Sequence, residues 1–120
     1  MLIAYWIVAG VTALVALAAG AFKLARSKEQ LAAAGLAWTE DFSPTSVKLI
    51  GAAEVLAAIG LVLPMLTGIA PVLGPIAGSA LAVLMIGATV VHFRRHEPPV
   101  SLGVFALAAA SAVLGFLAIG

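Results

Sequence analysis

Polar and apolar positions in this chain fall into separate blocks. Apolar stretches run from about Leu2 to Phe22, Pro44 to Leu66, Pro71 to Phe93 and Pro99 to Ile119. The polar patch Lys23 to Phe42 joins the first to the second. The short turn Thr67-Gly68-Ile69-Ala70 joins the second to the third, and Arg94-Arg95-His96-Glu97-Pro98 ends the third. Each stretch is close to the roughly 20 residues that a helix needs to cross about 30 Å of hydrocarbon. In lipid only helices or closed barrels satisfy every backbone polar group. Continuous apolar runs fit helices rather than alternating strands. The pattern predicts an all-α fold, a bundle of four transmembrane helices, as a single membrane domain over residues 1–120.

Local signals sharpen the boundaries. Ser43-Pro44 is an N-cap followed by proline at the first helical position, and Pro71 is expected to open the third helix in the same way. Pro64 predicts a kink or an end to the second helix, and Pro75 a bend early in the third. Ser27-Lys28-Glu29-Gln30 matches a capping box and predicts a short interfacial helix through Leu31 to Trp38. Small residues recur at helical spacing: Ala16 and Gly20; Gly74, Gly78 and Ala82; Ala108 and Ala112; Ser111 and Gly115. In lipid, such steps let helices approach closely. Some of them would also serve a homodimer.

Composition agrees with membrane residence. The chain is 64% hydrophobic and 9% charged, against about 25% charged in a soluble domain. Its mean hydropathy is +1.24. A domain this short leaves much of its surface exposed, so the lipid bilayer must cover the excess apolar area. A net charge of +1 gives no footing for nucleic acid. The absence of Cys excludes disulfides, thiol redox chemistry and thiolate metal sites. The first stretch has no basic residue ahead of it and exceeds a usual signal core, so it is expected to be a retained span. Lys23, Arg26 and Lys28 lie in the first connection, and Arg94 and Arg95 in the third. The positive-inside rule places loops 23–43 and 94–98 in the cytoplasm of a bacterial-type plasma membrane, with both termini outside. Tyr5 and Trp6 would mark the outer interface, Trp38 and Phe42 the inner one.

Chemistry then concentrates on Glu54, about 15 Å into the second helix at 1.5 Å per residue. An ionisable group in hydrocarbon costs about 2.5–3.5 kcal/mol on insertion scales and is a functional candidate by default. Helical side chains lean toward their own N-terminus. Lys23 and His92 therefore lean inward, while Glu54 and Lys48 lean toward the basic side. Either Lys23 or His92 is the expected partner of Glu54. Lys48, six residues from Glu54, is on another face and can snorkel to water. Small neighbours, Gly51, Ala57 and Ala58, point the carboxylate into the bundle. A register-fixing ion pair and a binding or proton-handling site both account for Glu54. Lys23, Lys48 and His92 also suit interfacial anchoring, and Trp38 suits either a belt position or a pocket mouth. His92 and His96 share a helical spacing, but no third ligand accompanies them, so no metal is expected. Phosphate-loop, dinucleotide, nucleophile-elbow and zinc-protease motifs are missing.

The segment Val47-Lys48-Leu49-Ile50-Gly51-Ala52-Ala53-Glu54-Val55 resembles the DoxX-like family of small four-helix membrane proteins. So do Gly20-Ala21-Phe22-Lys23-Leu24, Ile59 to Pro64 with Thr67-Gly68-Ile69, and His92-Phe93-Arg94-Arg95. The resemblance implies a link to thiosulfate:quinone oxidoreductase or, through mycobacterial relatives, to a membrane complex for oxidative and thiol stress. More distant relatives assist membrane-protein assembly. The resulting expectation is a protein that binds a lipid-like or quinone-like molecule around Glu54, or supports a membrane or peripheral redox protein. It would be an accessory subunit of an oxidoreductase rather than an autonomous enzyme. The alternatives are an assembly scaffold without a small ligand and a small proton-coupled transporter.

Overall fold

The computed structural model describes residues 2–97 and 101–119. Helix α1 spans Leu2–Ala25, α2 Lys28–Ala33, α3 Pro44–Thr67, α4 Leu73–Arg94 and α5 Ser101–Ile119, with a 3₁₀ turn at Ala37–Asp41 between α2 and α3. Among the described residues, α1, α3, α4 and α5 are long and apolar enough to cross a membrane. They form the expected all-α four-helix bundle. Helix α1 packs against α3 and α5, and α4 packs against the same two, so the order around the bundle is α1, α3, α4, α5.

Small side chains dominate the core. Ala9, Ala13 and Ala16 of α1 meet Ala57, Ala58 and Leu61 of α3, Leu81, Ala82 and Met85 of α4, and Ala108 of α5. The opposite faces carry large exposed apolar residues such as Ile3, Leu14, Leu56 and Val83. That is inverted relative to a soluble bundle, and it suits helices that meet on small residues and face lipid with large ones. Gly78 sits against the α5 backbone at Ala108 and Ala112. Near mid-span, Thr12 and Ser111 lie 3.3 Å apart while each donates to a carbonyl of its own helix.

Several boundaries differ from the sequence expectations. Helix α1 continues to Ala25, which brings Lys23 into its last turn. The capping box at Ser27 forms, but α2 ends at Ala33, because Gly35 adopts a left-handed φ of 108° and turns the chain into the 3₁₀ segment. Pro64 does not end α3; the helix continues to Thr67 and stops at Gly68, whose φ is 73°. The helical bonds on either side of Pro64 have no better partner in lipid. Pro71 lies in a turn, α4 opens at Leu73, and Pro75 falls in its first turn. Tyr5 is not a belt residue. It is fully buried, and its hydroxyl donates to the Leu61 carbonyl across the bundle. Pro98 and the expected start of the last helix at Pro99 lie outside the described residues.

Among the described glycines, the closest approach to another helix's backbone joins α1 and α3. A Cβ on Gly20 would lie 2.6 Å from the Gly51 carbonyl oxygen, and a Cβ on Gly51 would lie 2.9 Å from Lys23 Cβ. One neighbour is a backbone oxygen and the other a Cβ fixed to its backbone, so neither contact can open by a side-chain rotation. Gly20→Ala should therefore destabilise the bundle by about 1–3 kcal/mol, the usual cost of overpacking. Gly10→Ala, where a Cβ meets open space, should cause no loss. Unfolding of both variants in mixed detergent micelles, followed by circular dichroism, checks the contrast.

Candidate functional site

The glycine contact sets the geometry of the polar centre. Lys23 follows Gly20 by three residues on α1, and Glu54 follows Gly51 by three on α3. The two helices run in opposite directions, and each side chain leans toward its own N-terminus. Lys23 and Glu54 therefore converge across the glycine contact. Lys23 Nζ donates to Glu54 Oε1 at 2.7 Å. Both residues are buried, 7% and 4% exposed, so water does little to screen the pair. Of the two partners expected for Glu54, Lys23 is the one that makes the contact.

The connection between α1 and α3 covers this pair. Lys23 Nζ sits 5.8 Å from the centre of the Trp38 ring, within reach of a cation–π attraction. Trp38 in turn packs edge-on against Phe42, with ring centres 5.7 Å apart. Lys48 does not line the polar centre. Its Nζ donates to the carbonyls of Lys23 and Leu24, each at 2.8 Å, and to that of Arg26. These carbonyls lie at the C-terminal end of α1, where no further helical turn can bond them and where the helix dipole favours a cation.

His92, the other expected partner, turns to a different carboxylate. Its Nδ1 lies 3.3 Å from Glu97 Oε1. The end of α4 explains how. His96 adopts a left-handed φ of 57°, the Glu97 amide donates to the His92 carbonyl at 2.9 Å, and the His96 amide donates to that of Phe93 at 3.2 Å. This is a Schellman closure with histidine where glycine is usual, and it folds Glu97 back over the last turn of α4. Arg95 Nε donates to Glu97 Oε2 at 3.4 Å, and Arg95 Nη1 donates to Asp41 Oδ2 at 2.8 Å. The Asp41 hydrogen bond is the main reason Arg95 is pushed above its ordinary pKa. The ion pair ties the α1–α3 connection to the end of α4.

Between these groups the helices part around a cavity of about 680 Å³. Ala19, Gly87 and Ala88 leave the space, Leu84, Met85, Val91 and Val104 give it apolar walls, and Leu36, Trp38 and Phe42 cover its end. Lys23, Glu54, His92, Glu97 and Ser101 supply its polar atoms. Four of the five residues singled out from the sequence thus line one cavity, and Lys48 does not. Glu97 and Ser101 were missed. Glu97 looked like part of a solvated loop, since a left-handed histidine is uncommon and leaves no sequence signal. Ser101 bonds Thr89 at 2.8 Å, a pairing between α4 and α5 that no spacing rule reveals. Among the described residues, every fully buried side-chain nitrogen and oxygen has a partner.

Comparison with known proteins gives one match. A family model described as the DoxX-like family matches residues 7–118, nearly the whole chain. No curated protein and no solved structure matches it.

Breaking a buried ion pair strands a charge, at a cost of about 3–5 kcal/mol, whereas replacing both partners by apolar residues is often neutral. Lys23→Met and Glu54→Leu should each destabilise the bundle by about that amount, and the double variant by less than either. Additive losses in a double-mutant cycle of detergent unfolding would mean that the two groups do not interact.

Proposed function

This chain belongs to the DoxX-like family, and on that premise we propose that it is an integral membrane protein that holds an amphipathic molecule, lipid-like or quinone-like, in the cavity around Lys23 and Glu54. One observation carries this reading: an apolar chamber of about 680 Å³ that ends on a buried, charge-balanced pair. Ligand sites are typically clefts of about 300–1,000 Å³, apolar in the main, with a few convergent polar groups that set orientation. Under this reading Glu54, Lys23 and His92 hold the polar head of the molecule, Trp38 closes over it, and the apolar walls take its body. Lys48 serves the site indirectly by holding the end of α1.

The molecule would serve a membrane or peripheral redox partner concerned with oxidative stress. This chain has no Cys, so thiol chemistry in such a complex falls to the partner. A scaffold role without a small ligand leaves the chamber without a purpose. Residues 1–120 act as one membrane domain. All 11 charged side chains lie toward the end of the bundle where α1 and α4 finish and α3 begins. The positive-inside rule puts that end in the cytoplasm and the termini outside.

Gly87 offers a clean test, because a Cβ there meets open space on the cavity wall. Gly87→Leu should fill the chamber and leave the ion pair and the fold intact. Mass spectrometry of lipid extracts from purified protein should show a molecule retained in stoichiometric amount by the native chain and lost from the variant. Equal retention by both proteins would overturn the reading.

A further inference from the structure

The charges around the cavity narrow the class of molecule it can take. This step rests on the binding role proposed above. Lys23 supplies the ammonium on the wall, and Glu54 Oε1 already meets it at 2.7 Å. His92 faces Glu97, and Arg95, behind the wall, is shared between Glu97 and Asp41. Lys48 is committed to backbone carbonyls. The Arg26 guanidinium lies over the Phe22 ring. Among the described residues that line the cavity, a phosphate or carboxylate head would therefore find no uncommitted cation, and it would meet the carboxylates of Glu54 and Glu97. A quaternary ammonium head would find the face of Trp38 already shared with Lys23 Nζ at 5.8 Å. Desolvating an ion against a like charge costs several kcal/mol.

Hydrogen-bond capacity does remain. An ammonium has three donors and a carboxylate two acceptor oxygens, while the Lys23–Glu54 contact uses one Nζ direction and Oε1. Thr89 donates to the Met85 carbonyl at 2.8 Å, so the Ser101 hydroxyl donates to Thr89 and its oxygen is left to accept. We propose that the cavity selects uncharged amphiphiles whose head both accepts and donates hydrogen bonds, as an alcohol or phenol does, accepting from Lys23 and donating to Glu54 or Ser101. Anionic and quaternary ammonium amphiphiles are rejected.

The test uses full-length Trp6→Phe protein in phosphatidylcholine nanodiscs, so that Trp38 is the fluorophore. The probes are amphiphiles with one dibrominated tail and four heads: primary alcohol, carboxylate, phosphate and trimethylammonium. Each is compared at equal mole fraction in the bilayer, which removes differences in partitioning. The alcohol should quench Trp38 at about one-tenth or less of the mole fraction that any charged head requires, since tenfold is about 1.4 kcal/mol. Equal quenching by a charged head would overturn the selectivity while leaving the cavity in use. Quenching by no probe beyond that of brominated phosphatidylcholine would overturn both the selectivity and the binding role.

Discussion

A cation and an anion inside an apolar bundle have little except each other to replace the water they lose. Lys23 and Glu54 meet this condition at 2.7 Å, and much of the surrounding structure maintains the contact. The backbones of α1 and α3 must come close for a lysine and a glutamate to reach each other there, and Gly20 and Gly51 permit the approach. Lys48 fixes the end of α1 by bonding the carbonyls of Lys23 and Leu24 in its last turn and that of Arg26 just beyond it. Trp38 covers the ammonium. Taking both charges out of water is costly, and their close contact is what offsets that cost at the end of an apolar chamber.

The bundle has two unlike ends. Where α3 turns into α4, and where α1 begins, there is no charged side chain. That end is held by packing, with Tyr5 against Gly74 and Gly115 and its hydroxyl on the Leu61 carbonyl. At the other end the helices part, and the space is bounded by ion pairs and by the α1–α3 connection. Arg95 joins that connection to α4 through Asp41. One half of the molecule is thus closed by packing, and the other holds a cavity bounded by polar contacts.

Much of this was legible in the sequence, for identifiable reasons. The spans follow from hydropathy because lipid permits few backbone structures. Helix direction and the lean of side chains narrowed the partner of Glu54 to Lys23 or His92, and the small residues around Glu54 marked the buried face; the choice of Lys23 depends on the closure that turns His92 to Glu97. Other features depend on contacts between elements that hydropathy does not encode. The bonds from Lys48 to the carbonyls at the end of α1 have no sequence signature. Tyr5 looked interfacial because aromatic residues near span ends usually are; its burial depends on the glycines of α4 and α5. Glu97 was hidden by the left-handed turn at His96.

The contact between α1 and α3 can be measured directly. In lipid bilayers, magic-angle-spinning NMR on protein labelled with ¹⁵Nζ-lysine and ¹³Cδ-glutamate reports the distance between the two charged groups. A strong dipolar coupling assigned to Lys23 and Glu54, lost in Glu54→Gln and unaffected by Lys48→Gln, is the predicted result. A Glu54 signal with no coupling to any lysine would contradict the account, because the charge would then be balanced by something other than Lys23.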